Sequence, residues 1–180
     1  GFLITAKVKG KAREIKRAKV EFMAKVLCNG TDDKFETDRF NTNDQLYLSF
    51  RSPTDGYCLV YLIDESQKAY CLLPYRQQTT GNFPIKANRR YVLFSPKDAD
   101  RSIASLVDEY TLNSQESKEY NQLYIIFSPN PLTKTIDRST TELMPRETTV
   151  ENFRKWLARC RRNDLDMAVE VKNIVIKGQP

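Results

Sequence analysis

Seven consecutive apolar residues, Tyr57 to Ile63, lie between two turn signals and constrain this chain more than any other stretch of it. Before them, Ser52-Pro53-Thr54-Asp55-Gly56 is a tight turn, in which proline presets one φ angle and glycine accepts a positive one. After them, Asp64-Glu65-Ser66-Gln67 reverses the chain, and Lys68 to Leu73 returns as an antiparallel partner that Pro74 ends. A strand that is apolar on both faces belongs in the middle of a sheet.

The same grammar recurs on both sides of this hairpin. Leu46, Leu48 and Phe50 alternate with Tyr47 and Ser49, the period-two pattern of a half-buried strand. Residues 75–88 read as a loop. Tyr91–Phe94 is a short strand closed by Ser95-Pro96, and Ile103–Leu112 becomes strand at its C-terminal end. Gln122–Phe127 is an apolar strand stopped by Ser128-Pro129, and Ala168–Ile176 alternates as a closing strand. Short strands with turn signals about every ten residues describe a mostly β (α+β) chain built as an antiparallel β-sandwich.

Two stretches carry the helical period instead. From Ala12 to Cys28, Ile15, Ala18, Phe22, Met23, Val26 and Leu27 recur at spacings of three and four, with Asn29-Gly30 as a stop. An amphipathic helix is expected there, preceded by a strand at residues 2–9. From Val150 to Arg162, Phe153, Trp156, Leu157 and Cys160 form one stripe, and Thr148 or Thr149 can cap the first turn. The expected organisation is therefore residues 1–30 as a strand and basic helix, 31–44 as a polar linker, and 45–178 as the sandwich including the 150–162 helix.

Charge is distributed unevenly. The chain holds 29 lysines and arginines against 23 acids, a net +6. Residues 1–30 contribute eight of those cations and two of those acids, so that segment carries the whole excess and the remainder is neutral. Such a segment, with Lys16 and Arg17 at its centre, can meet nucleic acid, an anionic surface or an acidic protein, although a solvated helix face is the commoner use.

The longest apolar run falls far short of the ~18 residues that a membrane span needs. No charged n-region precedes an apolar stretch, and the leading Gly1 suggests a processed chain whose targeting segment has been removed.

At the hairpin the residues resemble a known family. Leu46-x-Leu48-x-Phe50, then Asp55-Gly56-Tyr57 running into the apolar strand, the acidic turn at Asp64, Leu72-Leu73-Pro74-Tyr75 and Tyr91-Val92-Leu93-Phe94 are similar in order to the bacterial domain-of-unknown-function family numbered 4384. The resemblance covers about residues 40 to 130. Trp156-Leu157 on a helix before a final strand is similar to secreted Bacteroides-type members. The resemblance implies an immunoglobulin-like sandwich in a periplasmic or secreted, envelope-associated protein with an accessory role. It brings no catalytic residues.

The composition excludes some chemistry. The chain has no histidine, which removes Ser-His-Asp and Cys-His nucleophile systems and every histidine-ligated metal site. There is no phosphate-binding Gly-rich loop, and no cofactor is expected. The adjacent acids Asp64-Glu65 and Asp108-Glu109 point to opposite faces if they lie on strands, so neither makes a catalytic dyad alone. They read as turn and surface acids.

Four cysteines, Cys28, Cys58, Cys71 and Cys160, lack the paired spacing of a zinc site. If the hairpin turn centres between Asp64 and Glu65, Cys58 and Cys71 stand opposite one another within disulfide range. A shift of one residue puts them on opposite faces. Cys28 and Cys160 are a weaker second pair. Tyr57 and Tyr61 share a strand face, either as an exposed aromatic platform or as core with hydroxyls at its edge. The expected function is a non-enzymatic module that binds another protein. Nucleic-acid or anionic-surface binding is the alternative, and a carboxylate-based hydrolase is the more remote one.

Overall fold

The computed structural model describes residues 2–8, 11–17, 21–78, 82–132 and 146–179, the first two stretches by their backbone and its pairing. The strands are β1 (Phe2–Val8), β2 (Lys11–Arg17), β3 (Met23–Cys28), β4 (Arg39–Asn41), β5 (Asp44–Arg51), β6 (Gly56–Ile63), β7 (Lys68–Leu73), β8 (Phe83–Ile85), β9 (Tyr91–Leu93), β10 (Tyr110–Leu112), β11 (Lys118–Ser128), β12 (Arg146–Thr149) and β13 (Ala168–Lys177). A single α-helix among the described residues, α1 (Val150–Asn163), lies between β12 and β13.

Two sheets pack together. The larger runs β12-β7-β6-β11-β13-β4, with β8 alongside the start of β6. The smaller has β5 at its centre, with β3 on one side and β9 and β10 sharing the other. The run Tyr57–Ile63 is indeed internal, flanked by β7 and β11. Leu48, Phe50, Val60, Leu123, Ile125 and Phe127 fill the space between the sheets.

The outer face of the larger sheet carries a second core. Leu59, Tyr61, Ile63, Cys71 and Ile126 meet Phe153, Trp156 and Leu157 of α1. The 150–162 stripe is thus the buried side of a real helix. The Thr149 side chain accepts from the Asn152 amide at 3.1 Å, capping its first turn. At the other end, the carboxylate of Asp164 accepts from the Ser128 hydroxyl and from the Asn130 side-chain amide, tying the helix C-terminus to the end of β11.

Several expectations need correction. The helix expected over 12–28 is two strands, β2 and β3. β3 pairs with β5 from Met23↔Arg51 to Cys28↔Leu46, so residues 23–28 are part of the sandwich. Ala24 and Val26 are buried at period two, and over six residues that spacing overlaps the helical one; pairing with β5 decides between them. The expected linker 31–44 holds a 3-10 turn at Asp33–Phe35 and the edge strand β4, which runs parallel to β13 with Phe40 buried. The loop expected over 75–88 contains β8. Gly56 is required by close approach, not by a positive φ: a Cβ there would lie 2.3 Å from the Ser128 carbonyl oxygen.

Candidate interaction site

The residues singled out in the sequence are not brought together. Lys16 and Arg17 stand on β2 opposite Leu3 and Phe2, and their side chains lie outside the described residues. Tyr61 is fully buried, its ring 4.8 Å from Phe153 and 5.5 Å from Trp156. It is core beneath α1, and no exposed platform forms with half-buried Tyr57.

The disulfide expectation fails on register. The Asp64 carboxylate accepts from the amides of Ser66 and Lys68, and Gln67 takes a φ of 64°. The turn therefore centres on Ser66, pairing Ile63 with Ala69 and Tyr61 with Cys71. Cys58 faces the space between the sheets and Cys71 faces α1. Both side chains are buried and neither is in a disulfide, and burial holds the Cys58 thiol well above its ordinary value. Cys28 and Cys160 form no disulfide either. Burial, followed by the Asp44 carboxylate it donates to at 3.4 Å, pushes the Cys28 thiol up to about 12.

What the fold does build is a cleft of about 390 Å³ where the sheets part at one end. Its apolar floor includes Leu62, Leu72, Leu112 and Ile176, and its walls include Tyr70, Tyr110 and Asn121. Asp108 was read as a surface acid, yet it is only 8% exposed and answers Arg76. The Arg76 backbone amide donates to Asp108 Oδ2 at 2.8 Å, while Nε and Nη2 donate to Oδ1 at 3.1 and 3.0 Å. Both guanidinium nitrogens thus converge on one carboxylate oxygen while the other takes the backbone amide, all three being charge-assisted hydrogen bonds. The Tyr110 hydroxyl adds donation to the Leu72 carbonyl at 3.2 Å, and burial, then the Asp108 charge, raises its phenol strongly.

The remaining acids give the cleft its sign. Asp64, Glu109 and Glu119 line it, and Arg76 is the one cation among its lining residues. Asp64 accepts from Ser66 and from backbone amides, and Glu119 from the Asn121 side-chain amide at 2.7 Å. These neutral donors leave the carboxylate charges uncancelled. Beside Asp64, Tyr70 is pushed up to about 12 by burial and then by the Asp64 and Glu147 charges. In the pair Asp64-Glu65, Glu65 accepts from the Tyr120 amide at 2.8 Å and finishes the ladder where β6 ends.

The basic cluster of α1 is a solvated helix face. Arg154, Lys155, Arg159, Arg161 and Arg162 are exposed, and Lys155 reaches Glu151 at 3.0 Å one turn away. Arg161 and Arg162 stand in the last turn, where the helix dipole favours cations. Among the described residues no three acids or cysteines are placed to hold a metal ion, and no helix is long and apolar enough to cross a membrane.

Comparison with protein-family models, with curated proteins and with solved structures finds no match to the chain.

Proposed function

We propose that this chain is a non-enzymatic protein-interaction module whose open inter-sheet cleft receives a lysine- or arginine-bearing segment of a protein partner. The observation that carries the proposal is the charge arrangement: Asp64, Glu109 and Glu119 stand around an apolar floor while the only lining cation is neutralised by Asp108. A long cationic side chain lays its methylenes on such a floor and its charge at such a rim. The resemblance of the motif order to family 4384 supports an immunoglobulin-like sandwich and a periplasmic or secreted, envelope-associated setting. The hydrolase alternative finds less support. Asp108 is committed to three donors from Arg76, and Asp64 to its own turn.

Nitrogen-15 NMR of the full chain, titrated with a hexalysine peptide, tests this. Amide shifts at Glu109, Thr111 and Glu119 are expected, fading as salt rises towards ~0.5 M, where the screening length falls to a few ångströms. A spectrum left unchanged, or shifts confined to surfaces away from the cleft, would remove it.

A further inference from the structure

The cleft and the basic N-terminal segment belong to opposite ends of the sandwich. Phe22, just before β3, is anchored with its ring 5.1 Å from Phe50 and 6.2 Å from Phe127. Phe127 pairs with Cys58 near the start of β6, whereas the cleft opens at Asp64, just past the end of that strand, and at Glu119. Six residues of strand separate Cys58 from Asp64, roughly 20 Å at the usual rise. The N-terminal segment therefore departs from one end, and the carboxylate rim lies at the other.

That segment is a hairpin pairing β1 with β2 from Phe2↔Arg17 to Val8↔Lys11, and among the described residues no strand of the two packed sheets pairs with it. Residues 1–20 hold seven lysines and arginines against one glutamate. Four residues lie between Arg17 and Phe22. Even fully extended, the five steps span at most ~18 Å, which leaves the Arg17 end of the hairpin short of its own cleft.

From this juxtaposition we infer that the hairpin of one copy docks in the cleft of a second copy. The inference rests on the cleft being a receptor for cationic segments, and it names the segment. Donor and acceptor are different patches, so two copies can exchange hairpins about a two-fold axis, or each copy can donate head-to-tail to the next. Reciprocal exchange closes it as a dimer, and one-way donation extends it into a longer oligomer. The outer face of β11 and β13 near this end carries Lys118 and Lys177, which leaves the inter-sheet side as the complementary one.

Sedimentation velocity of the nuclease-treated full chain, from about 5 to 200 µM at about 50 and 500 mM salt, is the test. Concentration-dependent association is expected at low salt and its loss at high salt. Two charge-reversed proteins sharpen it: a cleft variant with Glu109→Lys and Glu119→Lys, and a hairpin variant with Lys11→Glu, Arg13→Glu and Lys16→Glu. Circular dichroism and urea midpoints check that both remain folded. Each alone should associate at least about tenfold more weakly than the parent, and an equimolar mixture should recover association, because each then supplies what the other has lost.

A protein that stays monomeric at low salt overturns the inference. So does association that survives the cleft reversal, or association that nuclease abolishes, which would assign the hairpin to nucleic acid. If the chain is monomeric while hexalysine still shifts the cleft amides, self-docking falls and the receptor remains. If neither is seen, both fall.

Discussion

Asp108→Asn removes one charge at the floor of the cleft while keeping an oxygen that can accept from the Arg76 backbone amide. Arg76 then loses the carboxylate that its Nη2 meets at 3.0 Å. Breaking a buried ion pair by removing one partner costs about 3–5 kcal/mol, because the survivor stays desolvated. The Arg76 side chain is 29% exposed, so water recovers part of that, and about 2–3 kcal/mol is expected. For a chain of this length that lowers Tm by roughly 5–10 °C. Urea denaturation followed by tryptophan fluorescence reads it directly, since Trp156 is the only tryptophan. Arg76→Met combined with Asp108→Asn should cost less than the sum of the two single changes, with a coupling of about 2 kcal/mol. A single-variant cost below ~1 kcal/mol, or an additive cycle, would show that the pair contributes contact and not charge.

Trp156→Ala should cost about 3–5 kcal/mol, because the ring is 2% exposed between Tyr61 and Phe153, and a loss under ~1 kcal/mol would mean that α1 is not part of the core. Stability should fall in alkali. Tyr110, Tyr75 and Tyr70 are all raised above their ordinary 10, so the folded chain holds protons that the unfolded chain has released, and the loss begins near pH 10 and continues as pH rises towards the folded values. Each such group contributes about 1.4 kcal/mol per pH unit in that window, and urea midpoints that do not move between pH 9 and 11 would contradict the burial of these phenols. With a thiol reagent, Cys58 and Cys71 should react only after denaturation, and all four thiols should titrate in guanidinium without any reductant; a shortfall of two would put the disulfide back.

The strands were legible where one face alone is buried or where a proline or glycine marks the end. The Tyr57–Ile63 hairpin, β5, β11, β13 and α1 all follow from local pattern, because Pro74, Pro129 and Thr149 act within a residue or two of the boundary they set. The N-terminal stretch was not legible. In Met23–Cys28, Ala24, Val26 and Leu27 satisfy both periods, and only the six pairs made with β5 select the extended form. β4 and β8 are three-residue strands whose existence depends on β13 and β6, so no local signal announces them.

The cleft illustrates the limit more sharply. Arg76 and Asp108 lie 32 residues apart, one just past β7 and the other before β10. Nothing local separates the two members of the pair Asp108-Glu109, yet Asp108 is buried against Arg76 while Glu109 is exposed. Parity decides such cases. Asp64 folds its carboxylate back onto Ser66 and Lys68, and the turn centres on Ser66 instead of between Asp64 and Glu65, which shifts the pairing by an odd number of residues. That choice, together with a bulge between Val60 and Tyr61, sends Cys71 and Tyr61 to the helix side and Tyr70 and Leu72 to the cleft side. The centre of one turn thus determines which side chains line the cleft, whether a disulfide can form, and where the aromatic rings are buried.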